Sequence, residues 1–145
     1  MSYSEQCEKI IDAACTFGPV SNETIANAEA ELGVAFPSPY RTFLARYGAA
    51  MGVGFEIAGL FKSDKDEPPM WRDIVLATKR TRRAARGHLP ETLLPISGDG
   101  ASLTYYINAN GEDSCPVVAY GPGCDGQQVA ESFEEFVVKL STDRL

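Results

Sequence analysis

Residues 32–60 read LGVAFPSPYRTFLARYGAAMGVGFEIAGL, and the order of signals in this stretch decides the fold. Gly33 supplies the left-handed position that ends one helix. Ser38-Pro39 opens the next, with serine as cap and proline at the first helical position, where its missing N–H is no loss. Tyr40, Phe43, Leu44 and Tyr47 recur at i, i+3, i+4 and i+7, which makes one apolar helical face, and Gly48 closes it. Beyond Gly48 the period drops to two. Val53, Phe55 and Ile57 alternate with Gly54 and Glu56, which predicts a strand running into Gly59-Leu60-Phe61. Nothing in the stretch is catalytic.

Upstream, Cys7, Ile10, Ile11 and Ala14 predict an amphipathic helix from Ser4 to Thr16, stopped by Phe17-Gly18-Pro19. Ser21-Asn22-Glu23 caps a second helix lined by Ile25, Ala28 and Leu32. Downstream, the polar run Lys62 to Pro69 reads as a loop. Trp71 to Arg86 reads as a helix with Trp71, Ile74, Val75 and Thr78 inward and Lys79, Arg80, Arg82, Arg83 and Arg86 towards its end. Cations there complement the helix dipole on a solvated face; a phosphate contact is the competing reading. Leu94-Pro95-Ile96 leads into the turn Gly98-Asp99-Gly100, and Leu103, Tyr105 and Ile107 alternate in a strand. Asn110-Gly111 is a turn signal, Pro116 to Tyr120 a strand, and Gln127 to Ala130 a short strand after Gly121-Pro122-Gly123. Ser132-Phe133-Glu134-Glu135 is a capping box for a last helix that docks through Phe133, Phe136, Val137 and Leu140.

The chain of 145 residues is most simply one domain, and 44% hydrophobic with 23% charged residues places it among ordinary globular proteins. No apolar run is long enough to span a bilayer and no signal peptide is visible, so a cytoplasmic protein is expected. Its net charge of −7 is unevenly spread: residues 1–61 carry −4, residues 62–86 carry +4, and residues 87–145 carry −7. Acidic ends argue against nucleic acid as a direct partner and for a basic protein, although acidic surfaces also simply keep proteins soluble.

Chemistry is hard to assemble from these residues. His88 is the single histidine, and no nucleophile elbow or phosphate-cradling glycine loop is present. Asp64, Asp66 and Glu67 lack the central glycine and final glutamate of a calcium loop. Cys7, Cys15, Cys115 and Cys124 form no CxxC pair; Cys7 reads as a core residue, while Cys115 and Cys124 flank a strand and could approach one another. No cofactor or metal is expected, and the reading is of a protein that is not an enzyme. A small hydrolase or metal enzyme using His88 with Cys115 or Cys124 is the rival from the enzyme class.

Several motifs in order carry a resemblance: Ile25 to Leu32, Phe36-Pro37, Tyr40-Arg41-Thr42-Phe43-Leu44 ending in Arg46-Tyr47-Gly48, Ile57-Ala58-Gly59-Leu60, Leu94-Pro95-Ile96 with Asp99-Gly100, Pro116 to Tyr120, and Glu131 to Phe136. Residues 25–140 resemble the SUKH superfamily, which includes a fungal cell-wall-synthesis regulator and many bacterial immunity proteins paired with polymorphic toxins. At Ala101-Ser102-Leu103 the chain departs from the glycine and polar or acidic residue that members commonly carry. The resemblance implies an α+β single domain, with helices packed on a bent, mainly antiparallel sheet. It also implies binding and neutralisation of a cognate toxin C-terminal domain, often a nuclease, with no membrane and no direct nucleic-acid contact. An acidic surface would occlude the toxin's basic cleft. The contacts expected from predicted loops and strand faces are Glu56, Asp64, Asp66, Glu67, Asp99, Glu112 and Asp113, with Trp71 as an aromatic anchor. A regulatory scaffold for a signalling or cell-wall-synthesis protein is the alternative. The oligomeric state stays open.

Overall fold

Gly33 adopts φ 70° and ψ 33° and ends a helix, and Gly48, at φ 75°, ends the next. The computed structural model describes residues 3–60, 73–100 and 102–142. Among them the order is α1 (Tyr3–Asp12), β1 (Cys15–Thr16), α2 (Asn22–Leu32), α3 (Ser38–Tyr47), β2 (Ala50–Gly52), β3 (Phe55–Ile57), α4 (Ile74–Ala85), β4 (Leu93–Gly98), β5 (Thr104–Asn108), β6 (Val117–Gly121), β7 (Cys124–Ala130) and α5 (Phe133–Ser141).

Several boundaries differ from the sequence reading, and for three of them the reason is local. The first helix stops at Asp12, and Cys15–Thr16 peel off to pair with Ala50 and Met51. Val53 is 99% exposed because it sits at the tip of a β2–β3 hairpin, with Gly54 at φ 78° making the turn. The third helix begins at Ser38, with Pro37 as its cap residue; the Ser38 N–H donates to Asp113 Oδ1 at 3.1 Å, so the acceptor comes from far along the chain.

The strands form two antiparallel sheets, β1-β2-β3 and β4-β5-β6-β7. They meet where Ala58 N–H donates to Ile96 O at 2.8 Å and Ser97 Oγ donates to Glu56 O at 2.6 Å. Five helices with two antiparallel sheets among the described residues make this an α+β fold, as expected. β4 was not legible as a strand because Pro95 cannot donate to a ladder. The register slips between Pro95 and Ser97, a bulge that accommodates it. The tight hairpin of this sheet is at Pro122-Gly123, where Gly121 pairs with Cys124, and not at Asn110-Gly111, which lies in a wider loop.

The core lies between helices and sheet. Tyr40 and Phe43 of α3 meet Phe133 of α5 at ring-centroid distances of 6.0 and 5.4 Å, and Phe136 packs on Tyr105 at 5.3 Å. Each such buried aromatic is worth roughly 1.5–3 kcal/mol. The Tyr40 hydroxyl donates to Ala58 O at 2.7 Å, tying α3 to the strand it precedes. α1 packs on α5, so the two helices furthest apart in sequence share one interface. Ser132 Oγ accepts the Glu135 N–H at 3.1 Å, as the capping box requires, while the Glu135 carboxylate reaches Lys139 at 2.8 Å. Among the described residues no helix is long and apolar enough to cross a membrane.

Candidate partner-binding face

Alternation along a strand divides the four-stranded sheet into two faces. Leu94, Ile107 and Val117 align across it, as do Tyr105 and Ala119; all are buried in the core, where Tyr105 packs on Phe136 of α5. The other set aligns Leu93 with Asn108, Pro95 with Tyr106 and Val118, and Thr104 with Tyr120. α4 lies against the β4 side of this second face, and Thr81 hydrogen-bonds Tyr106, whose hydroxyl is pushed up in pKa mainly by burial. On the β6 and β7 side the same face emerges from cover. Val118 and Tyr120 are half-buried and Gln128 is exposed. Gly126, at φ 78°, leaves space that a Cβ would take from the Tyr120 hydroxyl, so the tyrosine lies across β7.

Two of the expected contacts come together on this face. Glu56, half-buried on β3, and Asp99, exposed in the turn after β4, line one cleft of about 590 Å³ with Arg80 of α4. Phe55, Ala58 and Ile96 supply its apolar part. Asp99 Oδ1 accepts the Leu103 N–H at 3.0 Å, which fixes the turn. Glu112 and Asp113 are exposed beyond the opposite end of β5. Of these, Asp113 caps α3. Asp64, Asp66, Glu67 and Trp71 lie outside the described residues.

The basic helix resolves largely into structural contacts. Lys79 pairs with Glu31 at 3.0 Å, and the Arg82 guanidinium donates to Leu32 O at 2.9 Å and Glu91 O at 2.6 Å. Arg86 takes the left-handed closing position at φ 50°. Arg80 alone of the five lines the cleft.

The cysteines are free thiols. Cys115 and Cys124 stand at opposite ends of β6, roughly 15–20 Å apart by strand rise; the approach expected from sequence does not occur. Burial, reinforced by Glu134, pushes the thiols of Cys7 and Cys115 up to about 12. Both are therefore protonated and unreactive at neutral pH. His88 is exposed, with its N–H on Ala85 O. Among the described residues no three His, Cys, Asp or Glu side chains converge as a metal site would require.

A family model, SUKH_5, described as SMI1-KNR4 cell-wall, matches residues 3–141. The chain belongs to the SUKH superfamily. The SUKH match takes in α1, which the resemblance over residues 25–140 left out. No curated protein matches the sequence. SUKH membership supports an immunity or regulatory function carried out by binding partner proteins, and the family is generally non-catalytic. For this SUKH chain the sequence reading picked out acids from loops and strands together with Trp71, and did not single out Asn108 and Tyr120, which line a recess on this face. Their signal was the second parity of β5 and β6, which shows as a surface only once the cover of each face is known.

Proposed function

We propose that this protein is an immunity protein that binds a cognate bacterial toxin domain, a nuclease, and blocks its active site. The observation that supports this most is that Glu56 and Asp99 line one recess and Glu112 another, on the side of the four-stranded sheet away from the core, in a chain of net charge −7. A nuclease cleft must be basic to hold phosphate. An acidic-rimmed face laid over it speeds encounter and competes with the substrate for the same cations. Asp64, Asp66, Glu67 and Trp71 stay within this reading as further contacts.

Capture with the tagged protein from its source cells, followed by mass spectrometry, should recover the C-terminal domain of a toxin. Expressing that domain should arrest growth, and this protein should restore it. The triple variant Glu56→Lys, Asp99→Lys, Glu112→Lys should fold, as judged by circular dichroism, and fail to protect. Undiminished protection by the triple variant would remove this face from the mechanism. The printed description of the matching family, SMI1-KNR4 cell-wall, favours a second reading, a scaffold for regulatory or wall-synthesis proteins. Recovery of such proteins in place of a toxin would select it.

A further inference from the structure

Where β5 ends, the uncovered face holds a second recess of about 190 Å³, lined by Leu93, Pro116 and Val118 on its apolar side and by Asn108, Glu112 and Tyr120 on its polar side. Among the described residues no lysine, arginine or histidine lines it. Asn108 Oδ1 is buried without a hydrogen-bond partner, a state that folded proteins rarely leave uncompensated. Asn110 Oδ1 accepts the Glu112 N–H at 3.2 Å and so fixes the loop that brings Glu112 to the rim. The Tyr120 ring is held edge-on by Tyr106, at 5.4 Å between centroids and 88° between planes.

We infer that this recess receives one arginine side chain of a protein partner. The polar lining is one carboxylate, two side-chain amides and a phenol, in the acidic part of the chain, and the single formal charge among them selects a cation over an anion. A guanidinium offers a planar fork of donors that serves Glu112 and Asn108 together, while its own face stacks on Tyr120. Its methylene stem suits the walls formed by Leu93 and Val118. The Asn108 amide turns about its last side-chain bond, a broad torsion, to present its oxygen. An ammonium would satisfy the charge but not the fork. The inference rests on the immunity reading for the class of partner alone, and the recess is testable without that partner.

The probe is acetyl-glycyl-arginyl-glycinamide, titrated at millimolar concentration into the isotope-labelled full chain and followed by NMR. Saturable shifts are expected at the Asn108 side-chain amide, Glu112 and Tyr120. The neutral citrulline counterpart should bind about tenfold more weakly, the loss expected for one charge-assisted hydrogen bond. Glu112→Gln, an exposed change that leaves the core alone, should weaken the arginine peptide comparably. Equal binding of the citrulline peptide, shifts mapping elsewhere, or no shifts would overturn the inference, and none of these depends on a variant folding. Arginine binding without toxin protection would overturn the immunity reading only; protection without arginine binding would overturn the recess only.

Discussion

Gly59 follows the last strand of the three-stranded sheet, and its φ is not left-handed. What excludes a side chain is proximity: a Cβ would overlap the carbonyl of Gly48, which is held in place by the Leu60 N–H at 3.0 Å. Because the obstacle is backbone, no rotamer change relieves it. Gly59→Ala should cost about 3 kcal/mol or more, measured as a fall in the urea midpoint or as failure to fold. Thr78 presents the opposite case. It is fully buried and its hydroxyl has no partner. Thr78→Val removes the orphan at nearly constant shape and should raise stability by about 1 kcal/mol, read from the same unfolding curves. An unchanged midpoint would mean that the hydroxyl finds a partner in solution. The sequence places Thr78 inward but shows neither the missing partner of its hydroxyl nor the approach of Gly48 to Gly59, since both depend on how the elements pack.

Four helix ends were legible from local cap signals. Ser21, Gly33, Gly48 and Ser132 mark helix ends that the structure reproduces, with Ser21 Oγ accepting the Thr24 N–H at 3.2 Å. β1, β2 and β4 were hidden for physical reasons. The first two are two and three residues long and depend on each other for pairing, and the third carries a proline. α4 shows how charge can mislead at this scale. Its run of cations resembles a binding patch, but Arg82 bridges the last carbonyl of α2 and the segment before β4. Arg82→Met should therefore cost about 1–2 kcal/mol through two carbonyls stripped of a charged donor. Arg83→Gln, on an exposed position, should stay within about 0.5 kcal/mol. Equal thermal shifts for the two variants would contradict the bridging role. The candidate face was half legible for a related reason. Acids announce themselves by type, whereas Asn108 and Tyr120 gain meaning from which strand parity faces the core.

Over the whole molecule, the two buried thiols couple folding to alkaline pH. In the folded chain Cys7 and Cys115 hold their protons up to about 12, against 9.0 for an unperturbed thiol. Above pH 9 the unfolded chain has released protons that the folded chain keeps, so raising the pH favours unfolding. Stability from this source is fully present below pH 9 and falls above it, by up to about 1.4 kcal/mol per pH unit for each thiol. Denaturation midpoints at neutral pH and between about pH 9 and 10, before the buried tyrosines add a slope of the same sign, should show the decline, and a Cys7→Ala/Cys115→Ala variant, weaker throughout, should lose most of it there. The packing of α1 on α5 has a consequence in time. During synthesis the apolar stripe of Cys7 and Ile11 leaves the ribosome roughly 120 residues before its partner helix, an interval on the order of ten seconds at about 5–20 residues per second. Until then that stripe is a substrate for chaperones and proteases. A chain whose translation stops short of Phe133 would be cleared from the cell, and would not persist as a weaker version of the finished protein.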